Sequence, residues 1–238
     1  MERICDLHGH FLPGMDDGCK TPEESVQLLQ SSYQQGIGVV FATPHYYPVE
    51  PVEAFLARRE ESVRQLQEYI HEQGIADVPQ ICLGAEVAYR PGISCQEDLH
   101  KLCLGNSRYL LLEMPFSRWG NGEAREVRGL CVSQGVTPIL AHIERYAQYQ
   151  DGAVLTDILQ QDVLVQMNAE YLLDRGTQRS GRKLLKKGVV QLLGTDCHNA
   201  TDRAPNLGQA IAWLRKKRME PILERIAQFS EEVCREAL

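Results

Sequence analysis

The segment DLHGHFLPGMDDG, residues 6–18, places two histidines and three aspartates within thirteen positions. Side chains of these types bind divalent metal ions and, through them, activate water. Six more of the same kind follow at wide intervals. They are His45 in ATPHYYP, Glu86 in GAEV, Glu113 in LLLEMPF, His142 in PILAHIERY, and Asp196 and His198 in GTDCHN. A set of imidazoles and carboxylates that requires no cysteine suits manganese, iron or zinc better than calcium or magnesium. Residues two apart on a strand share a face, so His8 and His10 can grip one ion, and Asp196 and His198 can both point inward. By the same spacing Asp6 is expected to orient a histidine from behind. Of the neighbours Asp16 and Asp17, one is expected to face the site, with Gly18 allowing a turn. His71 and His100 fall on expected helix surfaces and are not assigned a ligand role.

The elements that must position these groups are legible from periodicity. Short β-branched and apolar runs at residues 4–8, 39–44, 81–87, 109–114, 136–142, 163–168 and 189–196 alternate with helix-patterned segments. Strand and helix in repeated alternation indicate a parallel α/β architecture. The ligand-type residues lie at the ends of the predicted strands. In a (β/α) barrel those ends meet on one face, which brings together groups nearly 190 residues apart. An open doubly wound sheet is the alternative. A helix is expected to start at Thr21 as N-cap, with Pro22 in its first turn and Glu24 closing a capping box. A second helix is expected over about residues 52–73, with Leu56, Val63, Leu66 and Ile70 on its core face.

Composition narrows the function classes. The 238 residues are 43% hydrophobic and 24% charged, with a net charge of −7, which disfavours nucleic acid as a partner. No stretch approaches a membrane span and the N-terminus lacks a signal peptide's apolar region, so direct membrane insertion is not expected and a cytoplasmic location is. The eight cysteines form no C-x-x-C pair and read as small buried hydrophobes rather than a disulfide framework.

The ordered motifs D-x-H-x-H, T-P-H, G-A-E, L-E, A-H-x-E-R-Y and D-x-H-N resemble the polymerase-and-histidinol-phosphatase (PHP) superfamily. Within it, LPGMDDG, ATPHYYP, AHIERY and TDCHN followed by Arg203 are similar to the bacterial protein-tyrosine phosphatases of capsule and exopolysaccharide synthesis, the CpsB type. The resemblance spans about residues 3–210; the segment after about residue 219 matches the pattern poorly. It implies one phosphatase domain over residues 1–238, built as a distorted (β/α)7 TIM-like barrel with three divalent ions, commonly manganese, with iron or zinc as alternatives. Carried over, one ion takes His8, His10, Glu86 and Asp196. A second shares Glu86 and adds Glu113 and His142, and a third takes Asp17, His45 and His198. Four carboxylates, three divalent ions and a bridging hydroxide leave a small positive charge, which Arg145 and Arg203 increase, a fitting receptor for a phosphate dianion. The implied reaction is attack of metal-activated hydroxide on phosphotyrosine of a protein, with a bacterial tyrosine kinase as the indicated partner. An oligomer is compatible with the sequence, which sets no assembly state.

Other readings remain open at this level. CHNATDR fits the C-x5-R pattern of cysteine-dependent phosphatases, but it contains no glycine, includes Asp202, and alternation turns Cys197 away from the metal face. An amidohydrolase would want a histidine on the sixth strand, where this chain has Gln166 and Asn168. A histidinol-phosphatase-like activity on a small molecule shares the fold and ligands. A non-catalytic metal-binding subunit could use the basic run RKKR at 215–218, which otherwise reads as a solvated helix face.

Overall fold

The computed structural model describes residues 4–150 and 152–238. Its strands are β1 (Asp6–Gly9), β2 (Val39–Ala42), β3 (His45–Tyr46), β4 (Gln80–Leu83), β5 (Glu86–Ala88), β6 (Tyr109–Glu113), β7 (Thr137–Leu140), β8 (Leu164–Asn168) and β9 (Leu192–Gly194). Every pairing is parallel, in the orders β1-β2-β4 and β3-β5-β6-β7-β8-β9. Two of the predicted strands are therefore interrupted, at Thr43–Pro44 and Gly84–Ala85. The register nevertheless carries across the gap, Ala42 opposite Leu83 and His45 opposite Glu86. The two strands kink together because Pro44 has no N–H to give the ladder, and Glu86 N still donates to Pro44 O at 3.0 Å. Seven strand paths result, curled so that the two ends approach: Asp196 N donates to His8 O at 2.8 Å, and His10 N to Cys197 O at 2.9 Å.

The helices are α1 (Pro22–Gln34), α2 (Val52–Glu72), α3 (Asn121–Gly129), α4 (Ile143–Tyr146), α5 (Gly152–Leu159), α6 (Glu170–Leu173), α7 (Gln178–Lys186), α8 (Leu207–Lys216) and α9 (Glu220–Ala237). Thr21 caps α1 as expected, its Oγ1 accepting from Glu24 N at 3.3 Å. The reciprocal bond differs from the expected capping box: Glu24 Oε2 accepts from Lys20 N at 2.6 Å, one residue before the cap. His71 and His100 are exposed, as is the run at 215–218.

Beneath the strand ends lies an inner apolar cluster that includes Leu7, Phe41, Leu111, Ile139 and Leu192. Val233, Cys234 and Ala237 of α9 complete it, so the last helix forms its floor. That helix buries residues 223, 226, 227, 230, 233, 234 and 237, a helical stripe facing the sheet. Ser230 Oγ accepts from Cys5 N at 2.8 Å, which ties the floor to the approach of β1. The poorly patterned tail is thus part of the core. It also changes the cysteine reading, since Cys5 and Cys234 are joined as a disulfide, while Cys19, Cys82, Cys95, Cys103, Cys131 and Cys197 are free. Among the described residues no helix is long and apolar enough to cross a membrane.

Candidate metal centre

The ligand-type residues meet at one end of the curled sheet, but not through the strand alternation that the spacing suggested. Asp6 pairs with Val40 and Gly9 with Ala42, so three steps along β1 match two along β2. This bulge breaks the two-residue periodicity. It separates Asp6 from the imidazoles: its carboxylate accepts from Thr195 N at 2.9 Å and Thr195 Oγ1 at 2.6 Å, holding the turn after β9 instead of a histidine ring. Burial pushes the Asp6 carboxyl up to about 6 against these bonds. Asp196 and His142 lie beyond their strands in left-handed backbone, with φ of 53° and 29°. Such conformations are costly for non-glycine residues and cluster at functional sites.

Glu86 is the hub. Its Oε2 lies 3.2 Å from His8 Nε2, 3.3 Å from His10 Nε2 and 3.1 Å from His45 Nδ1. Its Oε1 lies 2.9 Å from His142 Nε2, which is 3.4 Å from Glu113 Oε1. Asp196 Oδ1 lies 3.5 Å from His8 Nε2 and 3.4 Å from His10 Nε2. Asp17 reaches across the mouth, 3.4 Å from His45 Nε2 and 3.3 Å from His198 Nε2. Among the described residues three groups of ligand atoms are close enough to share an ion: His8, His10, Glu86 and Asp196; His10, Asp17, His45 and His198; and His45, Glu86 and Glu113. The first is the set that the resemblance implied. The other two bring His10 beside the third expected set and His45 beside the second, with His142 adjoining through Glu86 and Glu113.

Two observations fit divalent ions to these residues. Donor atoms about 2.1 Å from a common ion stand roughly 3.0–3.4 Å apart in octahedral or tetrahedral geometry, and the contacts above fall in or near that interval. In addition, His8 Nε2, His10 Nε2, His45 Nδ1, His198 Nε2 and Glu86 Oε2 are buried without a hydrogen bond, an expensive state for polar atoms lacking another partner. Three of the rings are held from behind so that their Nε2 atoms face inward. His10 Nδ1 lies 2.6 Å from Asp16 Oδ2, His198 Nδ1 lies 2.9 Å from the carbonyl oxygen of Asp196, and His8 Nδ1 lies 3.3 Å from Gln166 Oε1. A proton on each Nδ1 leaves the Nε2 lone pair free, the usual arrangement of a ligating imidazole.

The electrostatics follow from this crowding. Burial alone would raise the Glu86 carboxyl, but His8, His10, His142 and His45 outweigh it and hold it well below the usual value. Burial likewise opposes ionisation of Asp196, and His8, His10 and Arg145 reverse it. At His142 burial lowers the pKa, yet Glu113 and Glu86 lift it to about 9. Burial, then His10 and Arg203, push His198 down to about 4. Both candidate arginines reach Asp196: Arg145 Nη2 is 2.5 Å from Oδ2 and Arg203 Nη2 is 2.8 Å from Oδ1.

Several contributors escaped the sequence reading. Asp16 is buried behind His10 and also accepts from His45 N at 2.9 Å. Gln166 Oε1 accepts from His142 N at 2.6 Å, Gln166 Nε2 donates to Asn168 Oδ1 at 2.9 Å, and Asn168 Nδ2 donates to Asp196 Oδ2 at 3.0 Å. The i, i+2 pair of amides within the apolar run LVQMN was the available signal. Tyr47 and Phe116, 53% and 51% exposed, stack on His45 and His142 with centroid distances of 5.7 and 5.8 Å. Two glycines are required by close approach. A Cβ on Gly194 would lie 2.8 Å from His8 Cβ, and one on Gly18 would lie 2.5 Å from His10 Cβ and 2.6 Å from its carbonyl oxygen. Gly18→Ala is therefore expected to cost about 1–3 kcal/mol and to reduce metal uptake, measured by thermal unfolding and by metal content after desalting.

Cys197 is buried, and burial pushes its thiol well above the ordinary range. A buried, protonated thiol is a poor nucleophile, so Cys197→Ala is expected to leave the rate of phosphate release within about twofold of the parent.

The model of the family "Capsular polysaccharide synthesis, CpsB/CapC" matches residues 4–232, which takes in most of α9. The tyrosine-protein phosphatase CpsB of Streptococcus pneumoniae is 29% identical over 231 residues, covering 90% of each chain. The tyrosine-protein phosphatase YwqE of Bacillus subtilis is 25% identical over 227 residues, 90% of this chain and 85% of that one. In fold, the chain is similar to a chain from the crystal structures of YwqE from B. subtilis and CpsB from S. pneumoniae, described as unique metal-dependent tyrosine phosphatases. That match has a TM-score of 0.83 at 22% identity, covering 99% of this chain and 96% of the other. It is also similar, with a TM-score of 0.54 at 16% identity, to histidinol phosphate phosphatase from Lactococcus lactis, over 90% of this chain and 93% of that one. The family match across nearly the whole of the described chain identifies this protein as a member of the CpsB/CapC family of capsular polysaccharide synthesis.

Proposed function

We propose that this chain is a metal-dependent phosphatase that removes phosphate from phosphotyrosine on a protein, with a bacterial tyrosine kinase of capsule or exopolysaccharide synthesis as its partner. The observation that carries this reading is the inward convergence of buried, hydrogen-bond-free imidazole nitrogens on Glu86 and Asp196, with two guanidiniums at the same carboxylate. His8, His10, Asp17, His45, Glu86, Glu113, His142, Asp196 and His198 would hold three divalent ions, of which manganese is our choice over iron or zinc. Bound there, such ions supply Lewis acidity that activates water and neutralises phosphoryl charge. The names of the curated relatives and the metal-dependent phosphatases of like fold support the assignment.

The chain's own groups account for the remainder. Arg145 and Arg203 would bind phosphoryl oxygens; the guanidinium of each at Asp196, with about one-third or more of its side chain exposed, supports this role. Tyr47 and Phe116 offer exposed aromatic faces beside two of the ligand histidines, suited to an aryl leaving group. A tyrosinate leaves with a pKa near 10, so it needs less protonation than an alkoxide. The approach of β9 to β1 supports reading the curled sheet as a distorted (β/α)7 barrel, and the floor helix supports one domain over residues 1–238. A cytoplasmic setting is part of this reading, six of the eight cysteines being free although Cys5 and Cys234 are paired.

The test is phosphate release by the purified protein from a phosphotyrosine peptide, a phosphoserine peptide and histidinol phosphate, with added Mn²⁺ or with chelator. Chelator-sensitive release that favours phosphotyrosine is the expected result. Preference for histidinol phosphate would transfer the same site to small-molecule metabolism, and absence of release from all three would overturn the proposal.

A further inference from the structure

A second concavity adjoins the metal centre. It measures about 350 Å³ and lies between α4, the end of β8 and α6, with Glu144, Arg145, Asn168, Glu170, Tyr171 and Asp174 in its lining. Arg145 and Asn168 are shared with the metal centre, because both contact Asp196 Oδ2. A ligand whose phosphate is bound by Arg145 beside Asp196 would therefore extend into this space through whatever flanks the phosphorylated residue.

The lining selects a charge. Three acidic residues and one arginine line it, and the guanidinium of that arginine is turned to Asp196. Among the described residues no lysine or arginine pairs with Glu144, Glu170 or Asp174. Glu144 Oε1 accepts from Asn168 N at 3.2 Å, whereas its Oε2 is buried and has no hydrogen-bond partner. A buried carboxylate oxygen without a donor is costly to maintain, and a charge-assisted bond from a ligand would satisfy it. Tyr171 adds an aromatic wall against which the aliphatic stem of a long cationic side chain can pack. Asp174 Oδ1 is already engaged by Gly176 N and Thr177 N, which fixes it in place without neutralising it.

Resting on the phosphatase reading above, we propose that this concavity is a specificity pocket for a lysine or arginine side chain lying within two positions of the phosphotyrosine in the substrate. Glu144 receives the cationic head, Glu170 and Asp174 guide it, and Arg145 separates it from the phosphate.

The experiment compares phosphotyrosine peptides in which lysine or norleucine occupies each position from two before to two after the phosphotyrosine, using the Mn²⁺-loaded full chain. The readout is the ratio of kcat/KM for lysine over norleucine at the same position, which cancels any change in overall rate. At the best position the ratio is expected to be on the order of tenfold, and to fall towards one in Glu144→Gln and in Glu170→Gln. A ratio near one at every position in the parent protein, or a preference retained in both variants, overturns the pocket. Binding of the same peptides carrying a non-hydrolysable phosphotyrosine mimic separates the two readings. Lysine-favoured binding without turnover keeps the pocket and sinks the phosphatase assignment, turnover without lysine preference does the reverse, and neither removes both.

Discussion

Glu86→Gln is expected to lower phosphate release by about 10³-fold or more and to reduce the metal content of the purified protein. The two oxygens of this one carboxylate reach four imidazoles: one serves His8, His10 and His45 and the other serves His142. Glutamine preserves volume and one acceptor while removing the charge and replacing the second oxygen with an amide that donates. Its N–H groups would then face nitrogens whose lone pairs are meant for metal, and the carboxylate that spans neighbouring ion groups would be gone. Thermal unfolding with and without Mn²⁺ separates a lost ligand from a lost fold. The parent should be stabilised by the ion, as any ligand of the native state requires, and the variant much less. Parent-like turnover and metal content in Glu86→Gln would refute the hub.

Removal of either arginine is expected to have the second largest effect. Arg145→Ala and Arg203→Ala should each reduce kcat/KM for phosphotyrosine by about 100-fold, the range seen when one preorganised donor to a developing charge is deleted. The two come from different elements, α4 and the loop after β9, yet they reach opposite oxygens of Asp196. A purely structural role, holding Asp196 in its left-handed backbone, would make activity fall in step with metal content. A role in binding phosphate leaves metal content unchanged while activity falls. Lysine is expected to restore little at either position, because a point charge does not reproduce the planar fork that pairs with two oxygens. Unchanged kcat/KM in Arg203→Ala would remove that residue from the site.

Chemistry and chain order were legible in the sequence because each depends on residue identity alone. The ordered histidines, carboxylates and arginines named the metal-type site, and the apolar runs located the strand paths because burial on a parallel sheet demands them. What side chains do within the site was less legible. His8 and His10 do meet in one group of ligand atoms, but strand alternation assigned Asp6 to the wrong neighbours, since a bulge in β1 shifts the register by one residue. Alternation also described Asp196 and His142 as strand residues, whereas both sit past the strand ends with positive φ, a conformation set by contacts from other strands.

The supporting residues belong wholly to the tertiary level. Asp16 steadies His10, while Gln166 and Asn168 connect His8, His142 and Asp196. The local signals, an aspartate pair and two amides on an apolar strand, do not say which partners these side chains take, because for the amides those partners lie up to 158 residues away. The same holds for α9, whose motif-poor tail supplies the floor of the inner core, and for Cys5 and Cys234, separated by 229 residues. The sequence by itself determined which atoms are available as ligands and that parallel strands carry them. The tertiary structure alone decided which oxygens and nitrogens meet, because contacts near 3 Å depend on bulges, kinks and strand closure that accumulate over the whole chain.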